Sequence, residues 1–448
     1  MTQIKDIVQN NLCIGCGVCV SEMPDKIKME VNNQGFIVAN QIKEGTSSAL
    51  RVCPFNPNPE PEVYDEDAIA NIFIKSDTTK YDRRIGHYIQ CYAGYSKKFR
   101  SFSSSGGIGT YAFEYLLKFK KVDKIYVVVE KNGGYEYGIF GDVATIEKTS
   151  KTRYLPVTLH GFFEDINNVD GKVALSGVPS FIKAVRLKQY YYPQLQDKII
   201  FLSGIVCGGM KSKFYTDYLA QKIGITGAYR SQDYRIKDRL SSALDYSFGA
   251  FEQSSGEYKR EKMARIGDTW GTMLFSSQAY DFSDDLVAEL ADISLGDAWL
   301  PRYTKDGEGN SVIVTRTKLA DEIIKYGISK GELCLHKISV EEFKKTQNGG
   351  LKHKQIGMEY RANVLRKKSS LLPIIRSRLL EPIPFEFKLV QKQRQKIRDL
   401  SPLIWRSTNN CTKFDEKIHR EVKKLRLYTR IYHKIQKMKK FLGLEIKL

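Results

Sequence analysis

The sequence predicts an α/β protein: a core with a mixed sheet, a small α+β module before it and a basic helical tail after it. Three observations carry this. Two strand–glycine-turn–helix units follow one another, a strand over 173–179 leading into a helix over 181–187 and a strand over 198–207 leading through Gly208 and Gly209 into a helix over 213–223. A cysteine run, Cys13-Ile-Gly-Cys16-Gly-Val-Cys19, lies near the N-terminus. The charge is lopsided: residues 361–448 hold 24 Lys and Arg against 7 Asp and Glu, whereas the first 360 hold 47 against 44.

A length of 448 residues predicts two or three units. Hydrophobic content of 42% with 27% charged residues excludes a disordered chain. No apolar run of about 18 residues occurs, so no membrane-spanning helix is expected. The opening MTQIKDIVQN has no apolar export segment, so a reducing, cytoplasmic compartment is expected, with the eight cysteines as thiols or ligands.

The cysteine run is the strongest chemical signal. Thiolates at C-x-x-C-x-x-C spacing wrap three corners of a cubane, and Cys53, followed by Pro54, supplies the fourth. Small Gly15 and Gly17 let backbone amides approach the cluster sulfurs. Met23 stands where the first run of a two-cluster ferredoxin has its fourth cysteine, and the second run keeps only Cys53. Zinc sites pair C-x-x-C with a second such pair or with histidines, and neither is present. Residues 1–60 are therefore expected to form a ferredoxin-type module with one 4Fe-4S cluster on Cys13, Cys16, Cys19 and Cys53. Cys91, Cys207, Cys334 and Cys411 are isolated and read as buried apolar residues.

The stretch 56–67, rich in Pro, Asn, Asp and Glu, reads as a linker. A short aromatic strand over 90–95 precedes Ser103-Ser104-Ser105-Gly106-Gly107, which opens a helix over 108–119 with apolar residues at helical spacing. Such a turn offers free N–H groups to a phosphate, or simply caps the helix. Strands follow over 124–130 and 138–141. Lys148, Lys151 and Arg153 beside Tyr154 suit a pyrophosphate and a stacked ring, or a solvated loop. Asp297 ends a strand, and a further strand covers 310–317.

With these segments in order, the chain resembles the coenzyme F-420 hydrogenase/dehydrogenase beta subunit family. The matching segments are IGHYIQCYAGY, SSSGGIGTYAFEYLL, KTRYLPV, LSGVPSFIKAVRL, LSGIVCGGMKS, ELADISLGDAW and GNSVIVTRT, over roughly 80–320. The resemblance implies a flavoprotein, usually with FAD, that relays electrons between iron–sulfur clusters and a two-electron carrier or substrate. It divides the body into an N-terminal flavin-binding part over 80–160 and an α/β part over 161–345. It also implies Ser105, Gly106, Gly107, Lys151, Arg153, Tyr154, Gly177, Val178 and Pro179 as flavin contacts. Many members bind an inner 4Fe-4S cluster in this domain. Here Ser180 replaces one of its cysteines, no cysteine precedes Asp292 in MLFSSQAYDF, and Cys207 alone remains, so no inner cluster is expected.

The expected function is an oxidoreductase passing electrons from reduced ferredoxin or a deazaflavin through the cluster and FAD to a small or sugar-linked substrate. The resemblance adds a setting in surface polysaccharide biosynthesis. The alternative is a non-catalytic electron-transfer subunit of a larger hydrogenase or dehydrogenase complex. A third reading makes the cluster structural and the tail a grip on nucleic acid or membrane. Catalytic residues are not assigned; Asp297 and His87 are candidate proton donors. In the tail, Ile418, Val422, Leu425, Tyr428, Tyr432, Ile435, Met438 and Leu442 recur every three or four positions among lysines and arginines. Such a helix lies on an anionic membrane at the inner face or packs on the body; nucleic acid ranks last.

Overall fold

The computed structural model describes residues 2–131, 134–267, 271–368 and 371–442. Positions 443–448 of the tail lie outside them. The N-terminal module opens with α1 (Ile4–Gln9), whose start is held by a capping box between Gln3 and Asp6. The cysteine loop follows, then an antiparallel hairpin of β1 (Ile27–Val31) and β2 (Ile37–Gln41), in register Ile27 to Gln41.

The expected linker is shorter than its composition suggests. Val63 is buried, and α2 (Glu66–Phe73) starts inside it, capped by Asp65, which accepts from the N–H groups of Asp67 and Ala68. A hairpin of β3 (Lys80–Asp82) and β4 (Gly86–Tyr88) leads to β5 (Gln90–Ser96) and α3 (Ile108–Lys118). Next come β6 (Lys124–Lys131), β7 (Gly134–Phe140), β8 (Val173–Gly177), α4 (Pro179–Tyr191), β9 (Ile199–Ile205) and α5 (Lys213–Lys222).

β10 (Tyr229–Ile236), β11 (Ser247–Glu252) and β12 (Tyr258–Lys262) make a separate antiparallel sheet. β13 (Ile293–Asp297), β14 (Ser311–Thr315), α6 (Lys318–Ser329) and β15 (Leu333–Ile338) complete the core. Among the described residues the main sheet has the order β15-β5-β14-β13-β9-β8-β6-β7. The run β13-β9-β8-β6 is parallel, and both flanks are antiparallel. The two central parallel strands, β8 and β9, are mostly buried, as both faces are covered there.

The N-terminal module shares one apolar cluster with the sheet: Leu12, Val18 and Phe55 pack in the same core as Leu175, Phe181 and Ile182. It is therefore fixed to the body. The opposite face of the sheet holds Ile108, Leu116, Ile125 and Ile313.

The charge split at 361 does not mark a separate unit. α7 (Gly357–Lys367), α8 (Phe385–Thr408) and α9 (Cys411–Phe441) pack on the body, and buried arginines of α7, of α8 and of the segment between them hold the tail there. Arg376 meets Asp284 (2.7 Å), Glu289 (2.9 Å) and Asp67 (3.1 Å), while Arg398 meets Asp281 (2.5 Å). Phe414, Ile418, Leu425 and Tyr432 of α9 bury against Phe387, Val390 and neighbours. The packed alternative for the tail thus holds for one face of α9. Among the described residues no helix is long and apolar enough to cross a membrane.

Candidate functional site: a four-cysteine loop strapped to a large cavity

Cys13, Cys16, Cys19 and Cys53 line one small cavity together with Pro54. Gly15 and Gly17 both adopt left-handed backbone (φ 73° and 77°), turning the loop so that three cysteines face inward. The N–H of Ala39 donates to Cys13 Sγ at 3.4 Å. Burial first, then the neighbouring thiols, push Cys16 and Cys19 up; burial pushes Cys53 up to about 12. Four crowded thiols of this kind ionise only if a cationic centre takes their protons' place, so cluster uptake would release protons. Among the described residues no group of three His, Cys, Asp or Glu is arranged to hold a metal ion. A cubane asks something different, four thiolates ringing a cavity with each bonding its own iron, and these donors fit that.

The second feature is a cavity of about 790 Å³ at the carboxyl ends of β8, β9 and β13, the edge where parallel sheets receive ligands. Ser103–Ser105 and the start of α3 form one wall, residues 149–155 another, and Arg235, Tyr246 and Trp299 a third. No side chain caps α3; Gly107 stands at its N-cap with φ 79°, leaving first-turn N–H groups open. Ser103 Oγ and Arg153 Nε are buried without a hydrogen-bond partner. Arg153 lies over the Tyr135 ring at 4.4 Å, and Lys151 pairs with Asp233 at 2.8 Å. Lys151 also holds a left-handed φ of 87°, a strained conformation for a residue with a Cβ. Behind the turn, Lys237 donates to the carbonyl of Ser105 (2.7 Å), and burial followed by Arg100, Lys151 and Arg235 pushes it down to about 7. The excess positive potential and open amides suit a pyrophosphate.

Of the expected flavin contacts, Ser105, Gly107, Lys151, Arg153, Tyr154 and Val178 line this cavity. Gly106 sits behind it; its N–H donates to Ser311 Oγ at 3.0 Å, and a Cβ there would meet the Gly94 carbonyl at 2.5 Å. Gly177 ends β8, and Pro179 opens α4 at its first turn. Both are close-packing positions beneath the cavity floor.

A strap joins the two features. Tyr154, Leu155 and Val157 line the large cavity, and the next residues lie on the cysteine loop. The N–H of Leu159 donates to the Cys16 carbonyl at 2.8 Å, and a Cβ on Gly17 would meet Thr158 Oγ1 at 2.2 Å.

Residues 91–163 match the N-terminal part, and residues 170–341 the C-terminal part, of the coenzyme F-420 hydrogenase/dehydrogenase beta subunit. The chain belongs to this family. It is 22% identical over 364 residues to the coenzyme F-420-dependent sulfite reductase of Methanocaldococcus jannaschii, covering 77% of this chain and 51% of that one. The chain thus spans about half the length of that curated relative. A chain of the F-420-reducing nickel–iron hydrogenase complex of Methanosarcina barkeri is 21% identical, covering 64% of this chain and 96% of that chain, with a TM-score of 0.47.

At the inner-cluster position implied by this beta subunit family, Ser180 Oγ bonds Ser283 Oγ (3.2 Å) and Cys207 Sγ faces the Gly209 carbonyl (3.4 Å). Buried Lys354 fills the interior there, donating to the carbonyls of Tyr280 (2.9 Å) and Ser283 (2.8 Å). Burial pushes it down to about 8. A buried ammonium and a single thiol do not fit a second cubane.

Of the two proton-donor candidates, Asp297 lines the cavity but pairs with Arg235 at 2.6 Å. His87, on β4, is not among the residues that line the cavity; its ring lies 5.2 Å from that of Tyr81. Arg235, Tyr246 and Lys354 carry no local motif; they enter the site through long-range packing alone.

Proposed function

We propose that the chain is an iron–sulfur flavoprotein oxidoreductase that takes electrons from reduced ferredoxin or a deazaflavin and reduces a small or sugar-linked substrate. The observation that carries this is the strap: one segment, 154–160, lines the large cavity at one end and hydrogen-bonds the cysteine loop at the other. Bound groups at these two places would supply one-electron chemistry from a 4Fe-4S cluster and one- or two-electron chemistry from FAD.

Cys13, Cys16, Cys19 and Cys53 hold the cluster. The open amides after Gly107, with Arg153 and Lys151, bind a diphosphate, while Tyr154 and Val178 border the ring. Lys354 and Tyr280 close the inner-cluster position, so that electron traffic depends on the strap. Arg235 lies 5.1 Å from the Tyr246 ring and 5.2 Å from the Trp299 ring, and pairs with Asp297. Aromatic faces beside a charged hydrogen-bonding pair support a ring-shaped, hydroxyl-bearing substrate, consistent with the polysaccharide setting.

The test is anaerobic purification, iron and flavin analysis, and an absorption spectrum before and after dithionite. About four irons and one flavin per chain, both bleaching on reduction, are expected. About eight irons would overturn the single-cluster assignment. Iron without flavin, even after reconstitution with FAD, would overturn the flavoenzyme. Both groups present but turnover appearing only with a second subunit would favour the electron-transfer subunit instead.

A further inference from the structure

α9 carries two apolar stripes, only one of which the body uses. Ile418, Leu425 and Tyr432 are buried, and side-chain bonds fasten the same side of the helix: Glu421 to Lys396 (2.7 Å) and Gln393 (2.7 Å), and Lys439 to Glu386 (2.7 Å). At about 100° per residue, Leu427, Ile431 and Met438 fall on the opposite side of the helix, with Phe441 beside them. Their exposures are 53%, 43%, 56% and 90%.

The same outward face is strongly cationic. Arg420, Lys423, Lys424, Arg430, Lys434 and Lys437 are all exposed around the outer stripe. Of the three carboxylates within α9, Asp415 pairs with Lys222 (2.8 Å) and Glu421 with Lys396, leaving Glu416 as the exposed one. The packed helix therefore presents a row of large aliphatic and aromatic side chains lined by cations that pair with no carboxylate among the described residues.

We propose that this outward face of α9 is a docking surface for an anionic lipid bilayer. The cations meet headgroup phosphates while Leu427, Ile431, Met438 and Phe441 enter the headgroup–acyl boundary. A nucleic-acid backbone would satisfy the charges but would bury none of the apolar row. An apolar partner would bury the row but strand the charges. A bilayer interface takes both at once. The inner stripe stays on the body, so the helix rests on the surface without inserting, and binding is reversible and salt-sensitive.

The experiment is co-sedimentation of the full chain, purified anaerobically, with vesicles of phosphatidylcholine alone or with about one-third phosphatidylglycerol. Binding is expected only to the anionic vesicles, released by about 0.5 M salt. The triple variant Lys423→Gln/Arg430→Gln/Lys434→Gln is expected to lose about fivefold in affinity per cation removed. Leu427→Gln/Ile431→Gln should weaken binding with all charges kept. Both variants change exposed residues, and an unaltered circular dichroism melt shows that the fold is intact. Absence of binding to anionic vesicles, equal binding to neutral vesicles, or release of the bound chain by competing duplex DNA or RNA would each overturn the proposal.

Discussion

Leu159 donates its backbone N–H to the carbonyl of Cys16 at 2.8 Å, across 143 positions of sequence, and so fixes the loop of three cysteines against a segment that lines the large cavity. Two places that the sequence separates widely are held in one rigid arrangement, which makes the contact sensitive to small changes.

Gly17 is the tightest point of that contact. A Cβ there would lie 2.2 Å from Thr158 Oγ1 and 2.8 Å from the His160 nitrogen, at a φ of 77°. Gly17→Ala is expected to cost more than about 2 kcal/mol and to lower iron content. Iron analysis and thermal unfolding of the purified variant check both.

Cysteine replacements should separate ligands from bystanders. Cys13→Ser, Cys16→Ser, Cys19→Ser and Cys53→Ser are each expected to lose most of the iron. Cys207→Ser should keep it all, because Lys354 and Tyr280 occupy the space beside it. Iron lost from the Cys207 variant would mean that Cys207 is itself an iron ligand.

Arg153 tests the cavity. Its Nε is buried without a partner and its guanidinium stacks on Tyr135. Arg153→Lys keeps the charge but loses the planar fork, so FAD affinity is expected to fall about tenfold with iron unchanged. Equilibrium dialysis with FAD measures it.

Arg376 is 1% exposed and faces Asp284, Glu289 and Asp67. Arg376→Met strands buried carboxylates and should destabilise the fold by about 3–5 kcal/mol in urea unfolding.

His353 sets an acid limit on stability. It is buried against Asp281 at 3.1 Å; Arg398 donates to the same carboxylate, Arg361 to the Asp281 backbone carbonyl, and Arg394 lies against the His353 ring. Burial first and Arg361 second push His353 down to about 4. A base with a depressed folded value binds fewer protons folded than unfolded. Its stabilisation is full above about pH 6.5 and lost as pH falls toward 4, by roughly 3 kcal/mol. His353→Gln should flatten that window in unfolding measured against pH; an unchanged slope would assign the acid sensitivity elsewhere.

Local spacing makes much of this protein legible in its sequence. The four cysteines, the two strand–turn–helix units and the Ser/Gly turn before α3 are short-range patterns, because thiolate spacing, strand alternation and helix starts are set by neighbours within a few residues. Other features depend on partners far apart in the chain. Arg376 meets Asp67 across 309 positions, and Arg235 meets Asp297 between two different sheets. The tail shows the limit most clearly. Its composition predicted a basic amphipathic helix, yet Leu427, Ile431 and Phe441 belong to no single stripe with Ile418 and Leu425. The sequence by itself determined which residues are apolar, charged or thiol-bearing and how they repeat. Only the tertiary structure decided which of two apolar faces is buried, because burial is settled by what packs opposite a side chain and not by the side chain alone.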